Sequence, residues 1–195
     1  MALTSSLQNS VFGQVVLLTA TVTPGAATGT VTFNDGNKNL GMVTLSGGVA
    51  SLSISTLGAG SHNITAVYGG DANNAGSTSN AVSEIVSKAN TTTNLISSPN
   101  PSKSGKVVAF NATVATGTPM VTNPTGTVTF KDSTTNKILG TIMVNDSGEA
   151  IYITSSLSVT THSISAVYNG DPNFNGSTSN TVSQVITKKL VLVLV

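Results

Sequence analysis

"SHNITAVYGGDANNAGSTSNAVSEIVSK" (Ser61–Lys88) returns as "THSISAVYNGDPNFNGSTSNTVSQVITK" (Thr161–Lys188), 100 residues later and without a gap. Two stretches upstream repeat at smaller spacings. "ATGTVTF" (Ala27–Phe33) matches "PTGTVTF" (Pro124–Phe130) at 97, and "GQVVLLTATV" (Gly13–Val22) matches "GKVVAFNATV" (Gly105–Val114) at 92. A repeat at fixed spacing organises every other signal in a sequence. The changing offset places the insertions in loops, chiefly "ATGTPMVTNPTG" and "KDSTTNK". The chain therefore reads as two copies of a unit of about 90–100 residues. The expected domains are residues 1–87 and 88–187, followed by an apolar β tail over 188–195.

Within the first copy, short strands are expected near Leu3–Leu7, Gln14–Thr23, Gly29–Asn34, Asn39–Leu45, Val49–Ser55, His62–Tyr68 and Thr78–Ser87. Turn signals such as "NDGN", "SGG", "GAG" and "GGDANNAG" separate them. Alternation is clearest in the sixth, where His62, Ile64, Ala66 and Tyr68 share one face. About seven short antiparallel strands in ~100 residues describe an immunoglobulin-like sandwich. The fold expected is all-β: two tandem sandwiches, without disulfides because the chain has no cysteine.

Composition agrees and narrows the function. Charged residues make up only 8% of the chain and hydrophobic ones 38%, against roughly 25% charged in an average domain. Thr, Ser, Asn, Gly and Val fill the difference, which favours strands and tight turns. All eight cationic side chains are lysines and the net charge is +1. Phosphate and base recognition lean on arginine and on clustered positive charge, so no nucleic-acid partner is expected. Absent cysteine rules out thiol chemistry and Cys-type zinc sites. No apolar run reaches the ~18–20 residues of a membrane span. "MALTSSLQNSV" lacks the charged start and apolar core of a secretory signal. Three expectations remain open: a signal already removed, a non-native Met1, or a protein that crosses no membrane.

"TGTVTF" followed by "DG", "TLSGGVA" and "GSHNITAVYGGDANNAGSTS", with their second-copy versions, resemble the bacterial immunoglobulin-like domain repeats. The resemblance covers nearly the whole chain except its last residues. It implies tandem arrays in surface-exposed or secreted proteins, and a spacer, stalk or adhesive role on the cell surface or outside the cell. It specifies no ligand.

Several residues invite a chemical reading. His62 and His162 occupy equivalent positions on the inward face at a strand start, where a histidine closing the end of the sandwich is expected. A catalytic base would need a nucleophile and an orienting carboxylate beside it, and no enzyme is expected. Tyr68 and Tyr168 end the same strand and could bond nearby backbone as tyrosine corners do. Asp71 and Asn73, with Asp171 and Asn173, offer oxygen ligands for a weak calcium loop. Calcium wants six to eight oxygens, and an Asx turn accounts for "GDANNAG" at less cost. No cofactor is expected. A lysine–asparagine isopeptide needs a buried lysine, for which only Lys106 qualifies. Phe174, in a loop, is the candidate aromatic platform for a glycan or host-surface ligand. Ile151, Ile153 and Tyr152 put apolar side chains on both faces of one strand.

The chain closes on "TKKLVLVLV" (Thr187–Val195). At the 100-residue offset, Leu190, Val191, Leu192, Val193, Leu194 and Val195 fall on Asn90–Leu95, the opening strand of the second copy. At the 92 offset Leu3 matches Leu95, so the first copy has almost nothing matching Ala89–Asn94. One end carries a spare opening strand and the other is short of one. The expectation is donor-strand complementation. The tail of one molecule would complete the first domain of the next near Leu3 and Leu7, a heterologous contact that builds an open filament. The alternatives are a tail that folds back, a truncated next repeat, an adhesive or carbohydrate-binding stalk segment, and a decoration domain of a phage particle.

Overall fold

The computed structural model describes residues 1–117 and 122–189. The chain divides into two compact units between Lys88 and Ala89. Unit one holds β1 (Ala2–Ser5), β2 (Asn9–Val11), β3 (Val16–Thr21), β4 (Thr30–Asp35), β5 (Lys38–Thr44), β6 (Val49–Ile54), β7 (Gly60–Tyr68), β8 (Ser77–Thr78) and β9 (Val82–Ser87). Unit two repeats the series as β10 (Thr91–Ser98), β11 (Ser102–Lys103), β12 (Val108–Thr116), β13 (Thr127–Asp132), β14 (Lys137–Met143), β15 (Glu149–Thr154), β16 (Thr161–Tyr168), β17 (Ser177–Thr178) and β18 (Val182–Thr187). Among the described residues no helix is long and apolar enough to cross a membrane.

Each unit is two sheets face to face. In unit one β1-β3-β6 packs against β2-β9-β7-β4-β5, with β8 on the flank of β7; unit two has β10-β12-β15 against β11-β18-β16-β13-β14, with β17 on β16. The alternation that the sequence shows becomes burial. Val16, Leu18 and Ala20 of β3 point inward, as do Val108, Phe110 and Ala112 of β12. Ile64, Ala66 and Tyr68 of β7 meet them from the other sheet, beside a fully buried Phe33. Removing these apolar faces from water holds the sheets together, since no cysteine is present to tie them.

The boundaries differ from expectation in two places, and side-chain hydrogen bonds explain both. A single strand over Leu3–Leu7 was expected. Instead the chain leaves the first sheet after Ser5 and re-pairs over Asn9–Val11, parallel to β9 in the second sheet. The Ser5 hydroxyl donates to the Leu7 carbonyl, and Ser6 Oγ takes the Leu17 N–H at 2.9 Å, which turns the backbone off its ladder. A continuous strand over Thr78–Ser87 was also expected, but residues 79–81 interrupt it. The Ser79 N–H still donates to the Ala66 carbonyl at 2.9 Å, but the return bond from the Ala66 N–H goes to Ser79 Oγ at 2.9 Å, which itself donates to the Asn80 carbonyl at 2.6 Å.

The shared "TG" before the "TVTF" strand has a steric cause. Gly29 and Gly126 sit at φ 92° and 87° and pass against the carbonyls of Gly70 and Gly170. A Cβ on Gly126 would lie 2.6 Å from the Gly170 oxygen. Gly126→Ala should therefore destabilise unit two by about 1–3 kcal/mol, from the positive φ and the clash together. Gly69→Ala, where a Cβ meets nothing within 4 Å, should leave stability unchanged. Chemical denaturation of the two variants checks the contrast.

Candidate functional site

β7 and β16 carry conspicuous polar residues at both ends, so each unit presents two polar poles. At the far pole Asp71 follows Tyr68 in the Gly-rich loop. Asp71 Oδ1 accepts the N–H groups of Asn73 and Asn74 at 2.8 and 2.7 Å, the arrangement of an Asx turn. Oδ2 accepts the N–H and hydroxyl of Thr28 at 2.8 and 3.1 Å. The loop is thus clasped to the approach to β4. Unit two repeats it: Asp171 takes the N–H groups of Asn173 and Phe174 and both donors of Thr125. The Thr28 N–H, then the Asn74 side chain and the Asn73 N–H, hold the Asp71 carboxyl well below the usual carboxylate range. Burial opposes ionisation of Asp171, but the Thr125 and loop donors outweigh it and lower its pKa too. Calcium at either loop would have to displace these donors. Among the described residues no three His, Asp or Glu side chains gather around a common point.

Tyr68 and Tyr168 are buried beside these carboxylates, and their hydroxyls make no bond to backbone, unlike the tyrosine-corner reading. Burial and the neighbouring aspartate push both hydroxyls above the ordinary tyrosine value.

At the near pole the sequence missed a partner. Asp35, at the end of β4, lies 2.7 Å from His62 Nδ1, while His62 Nε2 meets the Gly58 carbonyl at 2.8 Å. Asp132 and the Ser158 carbonyl do the same for His162, at 2.8 and 3.0 Å. Asp35 lies in a turn signal 27 residues from His62 in sequence, and only the β4–β7 register joins them. Burial acts against a charge on His62, yet the hydrogen bonds to Asp35 and Gly58 and the carboxylates of Asp35 and Glu84 prevail and raise its pKa. Asp132 is buried, which disfavours its charge, but Thr135, His162 and the Thr134 N–H hold its pKa down.

The Ser158 hydroxyl stands 3.4 Å from His162 Nε2, so the trio resembles a nucleophile, base and orienting acid. The nitrogen is already engaged by the nearer Ser158 carbonyl, and Gly58 replaces this serine in unit one. The pair is built to tie the hairpin end to the sheet.

A second missed feature is the clasp on the opening strand. Asn80, from the interruption before β9, uses its carboxamide as a strand substitute: Oδ1 accepts the Leu3 N–H and Nδ2 donates to the Leu3 carbonyl. Asn180 grips Leu95 identically, at 2.8 and 3.0 Å. "GSTSN" in both copies was the available signal, but its last three residues fall in the strand expected over Thr78–Ser87. Leu3 is buried and Leu7 half-buried, and a groove of ≈ 510 Å³ lined by Leu3, Thr4, Ser5, Asn80, Ala81 and Val82 runs along this flank. The segment Leu190–Val195 lies outside the described residues.

Other candidates are resolved by burial. Phe174 is 1% exposed and its backbone bridges to Ala89, so it packs in the core and is not a sugar platform. All eight lysines are exposed, Lys106 included, which removes the buried amine that an isopeptide needs. Tyr152 turns inward and stacks on Phe130, with ring centroids 5.7 Å apart. Ile151 and Ile153 face outward, 44% and 61% exposed, in the same sheet as an exposed Ile96.

Because the folded pKa of His62 exceeds its unfolded value of about 6.5, the pair's contribution is complete below that pH. It is lost as pH rises through the folded value. The lowered Asp71, Asp132 and Asp171 act at the other end, stabilising above about pH 3.9 and failing as pH falls through their folded values. Hydrogen exchange of the β4, β7 and β9 amides should show protection declining as pH rises above about 6.5. His62→Gln should flatten that limb.

Three solved structures are among those that match the chain. Fibronectin(III)-like modules of Clostridium thermocellum CbhA match at 17% identity and TM-score 0.40, covering 95% of this chain and 94% of that one. The Yersinia pseudotuberculosis adhesin InvE matches at 16% identity and TM-score 0.49, covering 94% and 58%. The D0-D1 domain of intimin matches at 18% and TM-score 0.32, covering 95% and 98%. No curated protein matches in sequence. The model of the bacterial Ig-like domain (group 3) matches twice, over residues 3–87 and 95–187. With the doubled sandwich and the cysteine-free cores, this places the chain in the bacterial Ig-like domain (group 3) family.

Proposed function

We propose that the chain is a non-enzymatic spacer of a bacterial surface or secreted protein, and that its units join head to tail by exchange of an opening strand. The family supports the first half. One contrast between the copies carries the second. In unit two, β10 begins at Thr91, and Thr91–Thr93 pair with Val114–Thr116 of β12. The hydroxyls of Thr91 and Thr93 also meet Ser177 Oγ at 2.8 and 2.7 Å. In unit one the β1 ladder ends at Ala2↔Thr21. Among the described residues no strand continues it along Val22–Pro24. Leu190–Val195 aligns with the residues that do this work in unit two. Supplied by a neighbouring copy, such a segment extends the β1 ladder by main-chain bonds and buries alternate Leu or Val side chains. Left uncovered, it is an aggregation hazard.

A second reading, an adhesive face for a host-surface protein, is favoured by Ile96, Ile151 and Ile153. They stand where unit one has Thr4, Ser51 and Ser53. Light scattering and electron microscopy of the purified chain separate the two. Filaments that disappear when Leu190–Val195 are deleted, leaving a folded monomer, support strand exchange. Filaments that persist without the segment, or a full chain that stays monomeric, overturn it.

A further inference from the structure

The two copies differ at one buried position beneath the opening strand. Glu84 of β9 and Gln184 of β18 are fully buried, in register with His62 and His162 respectively. In unit one two serines face the Glu84 carboxylate: Ser10 Oγ donates to Oε1 at 2.8 Å, and Ser5 Oγ, whose proton is shared with the Leu7 carbonyl, lies 3.2 Å from Oε2. The three side chains come from β1, β2 and β9, so the carboxylate ties both opening segments to the last strand.

Unit two keeps both serines, as Ser97 and Ser102, and the same parallel pairing of the short strand, Ser102↔Ile186 for Ser10↔Val86. The acceptor has changed, and the link between the serines now carries Pro99 and Pro101. Gln184 spends its Nε2 on the carbonyls of Pro99 and Val185, at 3.1 and 3.3 Å. Ser97 Oγ, Ser102 Oγ and Gln184 Oε1 are all buried and make no hydrogen bond among the described residues. In unit one their counterparts converge within hydrogen-bond distance. A buried polar atom without a partner is costly, and native proteins rarely tolerate one.

We infer that unit two encloses a structural water bound by Ser97 Oγ, Ser102 Oγ and Gln184 Oε1, taking over the link that the two carboxylate oxygens of Glu84, one facing each serine, make in unit one. A water donates to the amide oxygen and accepts from the serine hydroxyls, which gives it the two to four polar partners that an internal water needs. The exchange swaps a buried charge for a neutral bridge while keeping the link from the opening segments to β18.

A crystal structure of the full chain, at a resolution that shows ordered solvent, tests this. One peak within about 2.6–3.2 Å of all three atoms is expected. Gln184→Glu should remove the peak and bring both serine hydroxyls onto the new carboxylate, and oxygen-17 relaxation should count one fewer long-lived internal water. Glu84→Gln should add one water between Ser5 and Ser10. A site without density, with Ser102 Oγ donating directly to Gln184 Oε1, overturns the inference. So does a water that persists in Gln184→Glu. Should either variant fail to fold, the wild-type density alone decides.

Discussion

Each unit depends on the burial of alternate side chains between two sheets. β-Strands present every second residue to one face, and here those residues are Val16, Leu18 and Ala20 against Ile64, Ala66 and Tyr68, with the equivalent set in unit two. A sandwich without a cystine has no covalent tie between its layers, so its sheets stay together only while that apolar surface is removed from water.

The polar side chains at the strand ends are each committed to closing an edge. Asp71 and Asp171 hold the long loop against the start of β4 and β13. Asp35 and Asp132 hold the first residues of β7 and β16 through a histidine. Asn80 and Asn180 hold the opening strand through a side-chain amide. All three stand at the ends or flanks of strands, where backbone pairing runs out and buried donors and acceptors must be satisfied by side chains. The Ser158–His162–Asp132 grouping belongs to this pattern. Its bonds run to backbone and to a buried carboxylate, as those of the His62 pair do in part.

The copies share this scheme but differ where the unit meets other matter. Unit two has the longer opening strand and the isoleucine-bearing sheet; unit one has the shorter strand and the open groove beside Leu3.

The sequence alone determined the repeat, the strand periodicity, the absence of disulfides and the two-unit organisation, because these rest on local spacing and composition. It also marked His62, Asp71 and their counterparts as polar residues at strand ends. It did not disclose the partner of His62, the grip of Asn80 on Leu3 or the serines around Glu84. Those pairs are separated by 27, 77 and 74 to 79 residues. Only the register between strands brings them within bonding distance, and register is a property of the assembled sheets. Phe174 shows the same limit from the other side: a loop aromatic looks exposed in sequence, and the tertiary structure buries it, since a large apolar ring near an open sandwich end lowers the free energy most by turning inward.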